Sequence, residues 1–142
     1  MCPTPIRTAL LAALLSLAAF SQQSFTPAVE EAVAATYPGA ALNARVSGSV
    51  IVSIQVSDRG MVTNASVVEG DALLRQASLD AARLWRFHAQ PGSHTLKLIF
   101  NFRFMPKNTP EAQLGPIFKP PSTVEIRKIT PEPATHYAKN VR

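Results

Sequence analysis

Cysteine is almost absent: the 142 residues hold one, Cys2. A lone cysteine closes no intramolecular disulfide, so the fold has to hold by packing alone. No small-residue lipobox precedes Cys2, which excludes a lipid anchor at that position. Long apolar runs are also missing. The longest goes from Ala9 to Leu15 and on, past Ser16, to Phe20, roughly twelve apolar residues where a membrane-spanning helix needs about 20. With Arg7 ahead of it and the small residues Ala19 and Ser21 behind it, the run has the form of a secretory signal, residues 1–21, cleaved between Ser21 and Gln22. The same residues, if retained, would form a short membrane anchor. Cleavage would leave a mature chain with no cysteine.

Clustered charge is lacking too. The formal net charge is +5, but the basic residues are scattered, which argues against a nucleic-acid or anionic-lipid footprint. Catalytic constellations are thin. His88 and His94 bracket a turn, Asp58 sits in a hairpin loop, and the serines lie mainly on a solvated strand face. No nucleophile, base and orienting group converge. Two histidines make no closed metal site, and no Gly-rich phosphate loop occurs. Neither catalysis, a cofactor, a metal nor a small-molecule substrate is expected. Phe100, Phe102 and Phe104 beside Arg103 have the look of a base-stacking platform. However, Leu96 and Leu98 share their face, which makes them core.

What is present is an organising helix. Asp71 to Phe87 carries Leu74, Ala77, Ala81, Leu84 and Trp85 at helical spacing, with Asp71 placed to cap its first turn. Around it lie strand patterns. Val46, Gly48, Val50, Val52, Ile54 and Val56 alternate with polar residues. Ser57-Asp58-Arg59-Gly60 reverses the chain, and Met61 to Val68 returns. After a turn at Gln90–Ser93, the strand His94 to Met105 points Leu96, Leu98, Phe100, Phe102 and Phe104 one way and Lys97, Asn101 and Arg103 the other. The expected fold class is α+β: a small antiparallel sheet of about three strands with one main helix on one face. Val50, Val52, Ile54, Leu74, Ala81, Trp85 and Phe87 are its expected core. Ahead of it, residues 22–36 read as a short helix or linker, the helix running from Phe25 to Thr36 and stopped by Tyr37-Pro38-Gly39. Seven of the twelve prolines lie in residues 106–142, predicting an extended tail in which only Thr123 to Ile129 alternates like a strand.

Residues 37–105 resemble the C-terminal domain of the TonB family. The likeness is carried by Tyr37-Pro38; by Val46-Ser47-Gly48-Ser49-Val50-Ile51-Val52; by Asp58, Gly60 and Val62 at the hairpin; by Val67, Val68 and Gly70; by Ala81-Ala82; by Trp85 and Phe87; and by Phe102 and Phe104. The family usually has a proline two residues after Trp-x-Phe, where this chain has Ala89. The resemblance implies a periplasmic module that binds an extended segment of a protein, an outer-membrane transporter or another envelope protein, by adding it as a strand to a sheet edge. If the leader is retained, it implies instead a minimal membrane-anchored energy transducer. The implied partner-binding edge is the strand Leu96, Lys97, Leu98, Ile99, Phe100, Asn101, Phe102, Arg103 and Phe104.

So apolar an edge invites association with any extended chain. The tail offers a cover: Thr123 to Ile129, tethered through the Pro-rich stretch, could pair with that edge when no partner is present. Glu125, Arg127 and Lys128 suit a solvated tail equally well.

Overall fold

The computed structural model describes residues 28–132. The expected signal peptide, its cleavage site and Phe25 lie outside the described residues. Ten short elements follow one another: strand β1 (Val29–Glu31), helix α1 (Gly39–Asn43), β2 (Gly48–Val56), β3 (Val62–Glu69), helix α2 (Ala72–Arg83), β4 (Arg86–Phe87), β5 (His94–Met105), a 3-10 turn (Glu111–Gln113), β6 (Ile117–Lys119) and β7 (Thr123–Ile129). The main sheet has five strands in the order β3-β2-β5-β7-β6, and β1 pairs with β4 in a separate two-stranded ribbon. The expected three strands, β2, β3 and β5, are thus a subset. The tail supplies the other two.

The hairpin forms where the alternation and turn residues place it. Gly60 has φ 83, which an L side chain resists. A Cβ there would also fall 1.7 Å from the carbonyl oxygen of Phe87, and the Gly60 carbonyl accepts the Phe87 N–H at 2.9 Å. The turn therefore docks against the segment after the helix. At the other end, Gly70 lies against Val50, where a Cβ would meet the Val50 side chain at 2.8 Å.

Asp71 caps α2, its carboxylate accepting the Leu73 N–H at 2.9 Å. The helix stops at Arg83, earlier than its apolar spacing predicts. Trp85 and Phe87 are buried from an extended segment rather than from the helix, and Leu84 turns outward, 60% exposed. The Trp85 ring stands edge-on to Phe100 at 6.4 Å, and its Nε1–H donates to the Val33 carbonyl at 2.8 Å.

That bond fastens a segment expected to be helical. The expected helix over Phe25 to Thr36 is not formed in the described residues. Val29–Glu31 is a strand, with Val29 opposite Phe87, and residues 32–38 cross the core as an irregular strap. Buried Ala35 and Tyr37 hold it there. Tyr37 stacks on Phe104 at 5.2 Å, meets Phe102 edge-on, and its hydroxyl donates to the Val46 carbonyl at 2.5 Å. Long-range burial outweighs the local helical pattern. The short helix α1 follows Pro38 instead.

The core lies between the sheet and the layer made by α2 and the strap. Val50, Val52, Ile54, Leu74, Ala81, Trp85, Phe87, Leu98, Phe100 and Phe102 are all buried, and so are Val124 and Ile126 of the tail. A tail unable to make core is therefore not what forms. No helix of the described residues is long and apolar enough to cross a membrane.

Candidate functional site

Strand β5 is the longest of the sheet and carries its aromatic row. Successive side chains alternate faces. Leu98, Phe100 and Phe102 are buried on the helix side, Leu96 and Phe104 are partly buried there, and Lys97, Ile99, Asn101 and Arg103 stand on the open face. One flank is occupied by β2 in antiparallel register, from Gly48 opposite Phe102 to Val56 opposite His94. The other flank, expected to be unpaired, is not. From Ile99 to Met105 it is paired in parallel with β7, Ile99 opposite Thr123 and Met105 opposite Ile129. Leu96, Lys97 and Leu98 lie before that pairing begins. Of the expected edge residues, Ile99, Phe100, Asn101, Phe102, Arg103 and Phe104 are therefore interior to the sheet.

The reason is chemical as well as topological. β7 presents Val124 opposite Phe100 and Ile126 opposite Phe102, and both aliphatic side chains are buried. They cover the outer side of the two phenylalanines. The strand is also pinned at both ends. The Ile99 N–H donates to the Ser122 carbonyl at 2.9 Å, and the Thr130 N–H and hydroxyl donate to the Met105 carbonyl at 3.0 and 3.1 Å. Just beyond, Arg45 donates to the Pro131 carbonyl at 3.0 Å, and Lys107 pairs with Glu132.

Between the two buried aliphatics, on the open face, sits Glu125. It is 3% exposed. Arg127 donates to its carboxylate at 2.7 Å and Lys119, from β6, at 2.9 Å. Arg103 of β5 stands 3.6 Å away. Hydrogen bonds from Lys119 and Arg127 hold the Glu125 carboxyl below its ordinary pKa. Alternation alone marked Thr123–Ile129 as a strand, but nothing in the sequence singled out Glu125 or Lys119. The solvation expected of Glu125 beside Arg127 and Lys128 does not occur, because Lys119 and Arg127 pair with it.

Strand β6 runs antiparallel on the far side of β7 but covers only Thr123 to Glu125. On the sheet's opposite edge, β3 pairs with β2 alone. Among the described residues no group of three or more His, Cys, Asp or Glu could hold a metal ion. His88 is exposed, and the His94 ring nitrogen lies 3.1 Å from the Pro91 carbonyl.

Comparison with known proteins places the boundary of this arrangement. The family model for the Gram-negative bacterial TonB protein C-terminal matches residues 33–106. Two curated proteins named Protein TonB, from Xanthomonas campestris pv. campestris strains B100 and ATCC 33913, are each 46% identical over 55 residues. Those residues are 37% of this chain and 25% of each relative, so the chain matches about a quarter of their length. The matched region ends with β5, and β6 and β7 lie beyond it.

Proposed function

Because the chain belongs to the family of Gram-negative bacterial TonB protein C-terminal domains, we propose that it is a periplasmic protein-binding module. It takes an extended segment of an outer-membrane transporter, or of another envelope protein, as an added strand along β5. One observation carries this reading. The flank of β5 already holds an extended segment, β7, that comes from outside the family-matched region. The flank thus offers backbone donors and acceptors in parallel register and two apolar positions over Phe100 and Phe102. A partner strand takes the place of β7, which remains tethered through residues 106–122 and rebinds when the partner leaves. Tethering gives the resident strand an effective concentration of order millimolar, so the partner acts on a site that is guarded rather than open.

The test is a reversible lock. Ile99 and Thr123 are register partners on the open face, so Ile99→Cys with Thr123→Cys, in a chain that also carries Cys2→Ser, fastens β7 to β5 under oxidising conditions. A peptide array covering periplasm-facing segments of outer-membrane transporters is then probed with the oxidised and the reduced protein. Peptides are expected to bind the reduced form and to be lost from the oxidised one. Equal binding by both forms would place the partner elsewhere.

A further inference from the structure

The resident strand reports which side chains the flank accommodates. Its buried apolar positions are i and i+2, Val124 and Ile126, and the position between them is a buried acid with three cations around it. Two of those cations arrive with the tail: Lys119 from β6 and Arg127 from β7 itself. The third, Arg103, belongs to β5 and stays when β7 leaves. Beside it on the open face are Asn101, whose side-chain oxygen accepts the Ser49 hydroxyl at 2.5 Å, and Lys97, opposite Ser53. A shallow depression of about 340 Å³ lies there, lined by Gly48, Ser49, Asn101, Arg103, Lys119 and Glu125. Neither β2 nor β5 contains an acidic residue. On the sheet the next acid is Glu69 of β3, opposite Ile51 and separated from β5 by the whole of β2. With β7 displaced, this lane is purely cationic.

We propose that the flank selects extended segments carrying an acidic residue between two aliphatic ones, the acid lying across from Asn101 and against Arg103. This rests on the strand-addition reading above and specifies its ligand. The two apolar positions are demanded by Phe100 and Phe102, which would otherwise face water on that side. The central acid is demanded by charge. An acid there restores the pairing that Arg103 has with Glu125, a neutral residue leaves Arg103 to solvent, and a lysine sets like charges side by side. Alternation keeps the three requirements apart, since the aliphatics enter the core face while the acid stays on the open one.

The experiment uses the full chain carrying Glu125→Lys, which surrounds the tail's central position with like charge and loosens the resident strand. The probes are the labelled peptide PSTVEIRKIT, the chain's own residues 121–130, and its lysine counterpart PSTVKIRKIT, read by fluorescence anisotropy. The acidic peptide is expected to bind roughly fivefold more tightly, about the discrimination a half-exposed ion pair supplies. Adding Arg103→Glu to the protein is expected to reverse the order. If both peptides bind alike, or if the ratio ignores Arg103→Glu, the acid preference is wrong while strand addition stands. If a folded protein binds neither peptide, both readings fall. Should Glu125→Lys fail to fold by circular dichroism, Glu125→Gln replaces it, with the same ratio and the same reversal expected.

Discussion

The two flanks of β5 are held in opposite ways. Toward β2 the pairing is antiparallel, runs from His94 to Phe102, and joins strands of the family-matched body. Buried Val50, Val52 and Ile54 continue the core row of Leu98, Phe100 and Phe102 across it. Toward β7 the pairing is parallel, begins only at Ile99, and depends on a segment that follows β5 through the 3-10 turn and β6. Two buried aliphatics, one ion cluster and the hydrogen bonds at its two ends hold it. On the proposed strand-addition reading, the same strand has a permanent side and an exchangeable side. The aromatic row is buried from both sides, by β2 on one and by Val124 and Ile126 of β7 on the other.

The largest effect should come from the body. Trp85→Ala removes the ring packed edge-on to Phe100 and the bond to the Val33 carbonyl that fastens the strap. A loss of about 3–5 kcal/mol is expected in chemical denaturation, a large share of a small domain's stability. Both flanks should fail together, because the strap and the sheet share that ring. A variant that unfolds like the parent would mean the core is not centred on Trp85.

A middle-sized effect should separate the flanks. Val124→Ala removes buried surface over Phe100 and is expected to cost about 2 kcal/mol, taken from β7 docking rather than from global unfolding. Amide exchange can read this residue by residue. The Ile99 N–H points to β7, and successive amides of a strand alternate sides. Asn101 and Arg103 should therefore exchange roughly thirtyfold faster, while Phe100 and Phe102, facing β2, change little. Equal acceleration of both sets would show that the sheet opens as one unit and that the second flank is not separately exchangeable.

How far the sequence reveals this depends on whether the cause is local. The β2–β3 hairpin, the Asp71 cap and the full extent of β5 follow from alternation and turn chemistry, which act within a few residues. The strap over residues 32–38 does not. Its three alanines suit a helix, and only the distant demands of Trp85 and of the Tyr37 contacts draw it out straight. Leu84 falls on the helical stripe by spacing, but the helix ends one residue earlier, at Arg83, and turns it to solvent. The strand at Thr123–Ile129 was legible as a pattern, and its apolar half predicted the edge it covers. Strand β6 and the cations around Glu125 were not, because three residues make too short a pattern and because burial of a charge depends on neighbours far apart in sequence.

The smallest effect tests the charge on the exchangeable flank. Hydrogen bonds from Lys119 and Arg127 hold the folded Glu125 carboxyl below its ordinary pKa. A depressed carboxyl stabilises the docked strand above its unfolded pKa, and that contribution fades as pH falls through the folded value. Docking of β7 should thus weaken on acidification below the usual carboxylate range and stay constant toward neutrality. The side chains of Arg103 and Lys119 are more than half exposed, so water screens much of the attraction, and the change should stay near or below about 1 kcal/mol. Glu132, paired with Lys107, also has its carboxyl held low and titrates in the same direction, so the measurement is made in a Glu132→Gln background. There, the exchange rates of Asn101 and Arg103, corrected for intrinsic pH dependence, should rise at low pH relative to those of Phe100 and Phe102. Adding Glu125→Gln should flatten that ratio. A ratio that still rises without the carboxylate would assign the acid sensitivity to another group and take Glu125 out of the account of how β7 is held.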